Sequence, residues 1–95
     1  MKNQINIDLK IPVSVYKENG AFVAYSHVLD LATSADTHEE VQEQFNEAVG
    51  ILLESLIEKG TLEEVLQDLG WKKKGLNYRP PVLISQEMQQ VKFVG

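Results

Sequence analysis

Residues 37–60, THEEVQEQFNEAVGILLESLIEKG, have the periodicity of an amphipathic α-helix. Their apolar side chains recur at the spacing of one helical face, namely Val41, Phe45, Ala48, Val49, Leu52, Leu53, Leu56 and Ile57. Thr37 and Glu40 have the spacing of a capping box, which predicts the start of the helix. Gly60 can adopt the left-handed conformation that ends helices, and no proline intervenes. We therefore predict one long helix here, with the rest of the fold built against its apolar face.

The opposite face of this helix is acidic. At ~100° per residue, six glutamates fall within one arc of ~100°, namely Glu39, Glu40, Glu43, Glu47, Glu54 and Glu58. Such an arc is either the solvated side of the helix or a surface that attracts a basic partner. The residues by themselves leave both interpretations open.

Before the helix, β-branched and apolar residues alternate with polar ones, as in a strand with one buried face. The apolar positions are Ile5, Ile7, Leu9, Ile11, Val13 and Val15. Pro12 cannot donate to a strand ladder, so it indicates an edge, a bulge or a bend within this strand. Asn19-Gly20 follows, which is the strongest short signal for a β-hairpin.

Residues 21–25 then predict the returning strand, and Leu29, Leu31 and Thr33 predict a third. The first 35 or so residues would form an antiparallel meander that is polar on one face. The long helix should cover the other face, because no other segment has an apolar stripe wide enough.

After the helix, Thr61 and Glu64 suggest a second capping box and a short helix that Gly70 ends, with Trp71 folded back onto its last turn. Residues 72–78 suggest a loop. Residues 82–84 and 91–94 are short apolar runs that predict strands, formed within the chain or across a dimer. The predicted fold is α+β, with the order β-β-β-α-α-β, in a single domain of residues 1–95 with a core of residues 1–78 and a strand-forming tail of residues 79–95.

Composition narrows the class of protein. The chain has 95 residues, 43% of them hydrophobic, and no apolar run near the ~18 residues that a membrane span requires. It has no cysteine, which excludes disulfides and thiolate metal sites, and no apolar segment of a secretory signal, so we expect a cytoplasmic protein. The net charge is −5, and ten of the fourteen acids lie in residues 36–68 together with one base, Lys59. This acidity disfavours nucleic acid as the main partner and suits a basic protein.

Chemical motifs are sparse, and we expect no enzyme and no cofactor. His27 could act as a base, but no arrangement in the sequence orients it. Asp8, Asp30 and Asp36 could together bind Mg²⁺ in a nuclease, although no spacing motif links them and solvated carboxylates explain them more simply. The cluster of Lys72, Lys73, Lys74, Tyr78 and Arg79 could bind nucleic acid, or could balance the acidic helix.

Four segments of the sequence resemble the HicB-like antitoxin family. They are VYKENGAFVAY (residues 15–25), LDLATSADT (residues 29–37), EKGTL (residues 58–62) and LGW (residues 69–71). The likeness covers roughly residues 5–71. The sequence departs from the family at His27, where proline is frequent, at Ala35, where glycine is frequent, and in its short tail.

The resemblance implies a partial ribonuclease-H-like sheet without nuclease activity. It implies the antitoxin of a toxin–antitoxin pair, which covers the active surface of HicA, a small basic ribonuclease with a catalytic histidine. DNA binding is not expected, because it would need a separate domain. A short member could instead be a solitary protein with another partner. We predict that the partner-binding residues are Asp30, Asp36, Glu39, Glu43 and Glu47, and that the chain forms a homodimer or higher homo-oligomer.

Overall fold

The structure, a computed structural model, describes residues 6–7 and 10–95. Its elements are β1 (Asn6–Ile7), β2 (Ser14–Glu18), β3 (Ala21–Ser26), β4 (Leu31–Ala35), α1 (His38–Lys59), α2 (Leu62–Asp68), β5 (Lys72–Lys74) and β6 (Asn77–Arg79). Strands β2, β3 and β4 form one antiparallel sheet in that order, and β1, β6 and β5 form another. The predicted α+β class, with a three-stranded meander followed by a long and a short helix, is confirmed.

The β2–β3 hairpin closes at Asn19 and Gly20, as predicted. Both residues have positive φ, 49° and 83°, which is the requirement of the two-residue type I′ turn. Cross-strand pairs place Ala24 opposite Thr33 and Ser26 opposite Leu31, so these side chains share the face that α1 covers. Ala24 and Ser26 are fully buried there.

Helix α1 begins and ends where its sequence predicts. The Thr37 hydroxyl accepts a 3.1 Å hydrogen bond from the Glu40 amide, which satisfies one of the free N–H groups of the first turn. At the other end Gly60 has φ 70°, and the Gly60 and Thr61 amides donate to the carbonyls of Ile57 and Leu56. This is the Schellman arrangement of hydrogen bonds.

The core lies between α1, the β2–β3–β4 sheet and α2. Val41, Phe45, Val49 and Leu53 are the buried residues of α1, and they stand one turn apart. The other buried apolar residues are Ala24, Val28, Leu29, Leu62, Leu66, Trp71 and Tyr78. Among the described residues, no helix is both long and apolar enough to cross a membrane.

Helix α2 ends at Gly70, as predicted, and Trp71 folds back onto it. Gly70 has φ 93°, and the Trp71 amide donates to the Leu66 carbonyl at 2.8 Å. The predicted capping box at Thr61 is wrong, because the Thr61 side chain makes no capping hydrogen bond. Thr61 has ψ 7° rather than the extended conformation of a cap, since its amide belongs to the end of α1.

The predicted first strand is divided. Residues 10–13 form no strand, and they separate β1 from β2 around Pro12. The break agrees with the missing N–H of proline, but its consequence was not predicted, since β1 pairs in parallel with β6 in the other sheet. Ile5 and Leu9 lie outside the described residues.

Two predictions about the C-terminal quarter are wrong. Residues 72–78 are not a loop, because β5 and β6 form an antiparallel hairpin turned at Gly75, which has φ 65°. Residues 80–95, which we call the tail, contain no strand, although strands were expected at 82–84 and 91–94. The strand that follows α2 in the predicted order therefore lies earlier in the chain, in this hairpin.

Candidate protein-interaction surface

Three glutamates stand on successive turns of α1, and all are exposed. We call Glu39, Glu43 and Glu47 the acidic row. Their spacing of four residues places them along one side of the helix. Among the described residues no apolar neighbour covers this row, because the buried line of α1 runs from Val41 to Leu53 on another side. The acidic row is therefore free to contact a partner through its carboxylates.

The row begins at the capped end of the helix. Asp36, in the bend before the Thr37 cap, is exposed and adds a fourth carboxylate at this end. Behind it, the Phe22 and His38 rings meet edge to face with centroids 6.1 Å apart. The Lys17 ammonium lies 5.4 Å from the centre of the Phe22 ring. These contacts hold the first turn of α1 against the hairpin and so fix the direction of the row.

Asp30 lies elsewhere. It occupies the turn before β4, with a left-handed φ of 49°, whereas Asp36 follows the end of β4. The five residues of β4 lie between them, and six residue steps of extended chain span ~20 Å. The Tyr25 hydroxyl donates a 3.3 Å hydrogen bond to the Asp30 carboxylate. Tyr25 alternates with the buried Ala24 and Ser26, so it faces away from α1, and Asp30 belongs with that open face of the sheet.

This pairing affects the tyrosine. Partial burial raises the pKa of the Tyr25 phenol above its ordinary value of 10.0, and the negative charge and hydrogen bond of Asp30 raise the pKa further. Tyr25 is consequently neutral at physiological pH and remains a hydrogen-bond donor.

The carboxylates proposed for a Mg²⁺ site are not brought together. Asp8 lies outside the described residues, and Asp30 and Asp36 flank opposite ends of β4. A Mg²⁺ ion needs ligand oxygens at about 2.0–2.1 Å, which two side chains at opposite ends of a strand cannot provide. Within residues 10–95, moreover, no three His, Cys, Asp or Glu residues are grouped as a metal site.

His27, the candidate base, is exposed in the β3–β4 turn. It borders a shallow cavity of ≈ 230 Å³ on the open face of the sheet, between the two tyrosines and the start of the tail. The lining residues are Pro12, Ser14, Tyr16, Tyr25, His27, Leu83 and Gln86. The cavity offers hydroxyls and an imidazole but no carboxylate lining that would orient His27 as a base.

A groove between α1 and residues 11–15 was not predicted from the sequence. Two adjoining cavities of ≈ 290 and ≈ 430 Å³ share Val13, Phe45 and Asn46. The full lining is Ile11, Val13, Val15, Ala24, Gln42, Phe45, Asn46, Val49, Gly50 and Leu53. None of these side chains is charged. The signal for it was present, because Gln42, Asn46 and Gly50 form a neutral row, four residues apart, between the apolar and acidic sides of α1.

The β5–β6 hairpin sorts the basic cluster onto two faces. Lys73 stands opposite the buried Tyr78 in the hairpin. The Lys73 ammonium lies 4.0 Å from the Glu63 carboxylate and 5.8 Å from the centre of the Tyr78 ring. Lys72 stands opposite Arg79, and together with Lys74 they occupy the other, exposed face. A cavity of ≈ 430 Å³ adjoins them.

Comparisons of the chain with family models, with curated proteins and with solved structures find no match.

Proposed function

We propose that this chain is a HicB-like antitoxin, which neutralises a HicA-type ribonuclease by covering its active surface. The sequence segments that resemble the family lie in the hairpin, in β4, at the end of α1 and at Trp71. The observation that carries the proposal is the acidic row of α1, which is exposed, fixed in direction and one-sided. A carboxylate surface of this kind speeds the encounter with a basic protein and disfavours acidic ones.

The contact would centre on the first half of α1. Glu39, Glu43 and Glu47 share one side of the helix, and Asp36 extends that surface at its start. Asp30 was predicted in the same set, but it lies at the other end of β4. A partner that touched both the acidic row and Asp30 would have to reach around the sheet edge. A substitution of Asp30 therefore tests separately how far the contact extends.

Occlusion needs no chemistry from the antitoxin. A stable interface of the standard kind buries roughly 800 Å² on each partner, which is enough to cover the active surface of a small ribonuclease. The acidic row would occupy the positions that RNA phosphates take on a basic nuclease, and so would compete with the substrate by charge.

Growth rescue tests the proposal. The probe is a HicA-type ribonuclease, expressed in bacteria with and without the chain. We expect arrest by the ribonuclease alone and recovery when the chain is co-expressed. Arrest that persists with full, soluble expression of both proteins would contradict the antitoxin function and would favour a solitary protein with another partner.

A second candidate function, nucleic-acid binding, is favoured by one observation. Lys72, Lys74 and Arg79 share the exposed face of the β5–β6 hairpin, while Lys73 is drawn to Glu63 on the other side. Three cations on a β-ribbon can contact phosphates. A gel-shift with RNA and duplex DNA at physiological salt tests this, and the absence of any complex at tens of micromolar would dispose of it.

A further inference from the structure

The uncharged groove is an unusual surface on this protein. Elsewhere α1 exposes glutamates, yet the groove is bordered on the helix side by Gln42, Asn46 and Gly50. Its other wall consists of Ile11, Val13 and Val15, and the two valines are 40% and 37% exposed although they lie on the side of the sheet that faces α1. Water therefore contacts apolar side chains that the fold has directed toward its core.

The strand beside this groove also has a free edge. Within the part of the chain that the structure describes, β2 is hydrogen-bonded to β3 alone and stands at the end of its sheet. An edge strand presents unpaired N–H and C=O groups that can accept another strand. A segment added here would place alternate side chains into the groove.

The tail is apolar and almost uncharged, which suits it to the uncharged groove. Its large apolar side chains are almost all exposed, namely Val82, Leu83, Ile84, Met88, Val91, Phe93 and Val94. Phe93 and Val94 are 89% and 95% exposed. Residues 80–95 carry one acid, Glu87, and one base, Lys92, so the whole net charge of −5 belongs to residues 1–79. The tail is thus the segment of a second copy that could enter the groove without charge repulsion.

The path of the tail favours exchange between copies. It leaves the domain at Pro81, whose ring lies against Gly70, and it passes Leu83 and Gln86 across the open face of the sheet, opposite to α1. The radius of gyration is 16.0 Å, against roughly 12 Å for a compact domain of this length. The longest dimension is 57 Å and the other two are 30 and 23 Å. Met88, Val91, Phe93 and Val94 are 76–101% exposed, so residues beyond Gln86 are not packed in the groove of their own chain.

We propose that the groove between α1 and residues 11–15 receives residues 88–94 of the tail of a second copy. The added segment pairs with the edge of β2, and Val91 and Phe93, two residues apart, enter the groove together. In a symmetric exchange each copy contributes both its tail and its groove to the interface. The number of residues that each copy contributes then approaches the 20–30 of a standard stable interface. The inference does not depend on the antitoxin function.

A block of the groove tests this proposal. A Cβ on Gly50 would meet no atom within 4 Å, so Gly50→Leu fits the helix and fills the groove, while Gly50→Ala is its matched control. By light scattering at tens of micromolar, we expect a dimer for the natural chain and for Gly50→Ala. We expect a monomer for Gly50→Leu and for Phe93→Asp. A monomeric natural chain, or a dimer that survives both Gly50→Leu and Phe93→Asp, would overturn the proposal.

Crosslinking separates exchange between copies from docking within one chain. The chain has no cysteine, so Asn46→Cys on the groove wall and Val91→Cys on the tail, which the proposal directs into the groove, can be made singly and mixed, one of them with a mass tag. Both residues are exposed, so neither change should disturb folding. We expect the mixture to form a disulfide between the two different chains. A disulfide that forms in the double variant as a monomer, and not in the mixture, would overturn the exchange.

Discussion

The Nε1 atom of Trp71 donates a 2.7 Å hydrogen bond to the carbonyl oxygen of Val28, and both residues are buried. The two are 43 positions apart in sequence. The bond joins the end of α2 to the β3–β4 turn and so fastens the two helices and the second sheet to the meander. Tyr78, in β6 of the second sheet, is buried in the same core.

The Trp71 bond gives the first prediction. Trp71→Phe keeps an aromatic ring but leaves the buried Val28 carbonyl without its donor, so we expect the free energy of unfolding to fall by about 2 kcal/mol or more. Urea denaturation followed by far-UV circular dichroism measures this change. Fluorescence is unsuitable, because Trp71 is the single tryptophan of the chain and the substitution removes its signal. Leu76→Ala, at a residue 80% exposed, is the control and should stay within about 0.5 kcal/mol. A Trp71→Phe variant as stable as that control would show that the bond is unimportant.

The two helix starts make a matched pair. Thr37 caps α1 through its hydroxyl, whereas Thr61 makes no such bond at the start of α2. We expect Thr37→Ala to lower the free energy of unfolding by about 1 kcal/mol and Thr61→Ala by clearly less. The same urea titrations measure both. Equal losses would mean that the capping bond of Thr37 adds no specific stability.

Two glycines should respond to alanine with opposite signs. Gly20 has φ 83° in the hairpin turn, where an alanine Cβ is strained, so we expect Gly20→Ala to destabilise the fold by about 1 kcal/mol. Gly50 lies inside α1, where alanine is the better helix former, so Gly50→Ala should stabilise by about 0.5–1 kcal/mol. Thermal melts at one protein concentration compare them. A loss at Gly50 would contradict the open surroundings of that residue.

The Tyr25 phenol predicts a dependence on alkaline pH. Its pKa is raised in the folded state, so the folded protein holds the phenolic proton more tightly than the unfolded chain. The resulting stability is fully present below pH 10.0 and is lost as pH rises through the folded pKa. Site-specific NMR titration of the tyrosine ring carbon measures the pKa directly. We expect Asp30→Asn to lower it toward the ordinary value, and a Tyr25 that already titrates at 10.0 beside Asp30 would refute the pairing.

The part of the fold that follows from local rules could be predicted from the sequence. Helix α1 carries its own cap, its own terminating glycine and an apolar line, and the Asn19-Gly20 turn sets the hairpin register without help from distant residues. The β5–β6 hairpin was missed because three consecutive lysines show no alternation. This hairpin is stabilised by contacts with distant parts of the chain, namely the burial of Tyr78 in the core and the parallel pairing of β6 with β1.

Of the candidate partner-binding residues, only those within helix α1 could be grouped correctly from the sequence. Glu39, Glu43 and Glu47 share a side of α1 because helical spacing decides it. Asp30 and Asp36 are close in sequence, but β4 separates them, and only the sheet register shows that Asp30 joins Tyr25 on the open face. The tail was predicted as strand from its apolar content, yet a strand needs a partner edge, and the tail pairs with no edge of its own described chain.

Charge reversal should weaken the proposed complex. Glu43→Lys together with Glu47→Lys removes two carboxylates from the acidic row, so we expect roughly tenfold weaker binding to the HicA-type ribonuclease. The salt dependence of the association rate should also become flatter. Glu64→Lys together with Asp68→Lys, at exposed positions of α2, makes the same change of net charge away from α1 and is the control. Equal effects of the two pairs would assign the attraction to total charge and not to the row.

The most direct test of the account is the cleavage of RNA by the HicA-type ribonuclease at increasing concentrations of this chain. Occlusion predicts that cleavage falls to background at a fixed ratio of the two proteins, and that the Glu43→Lys and Glu47→Lys changes shift this titration to higher concentrations. Cleavage that continues unchanged in the presence of excess folded chain would contradict the proposed function.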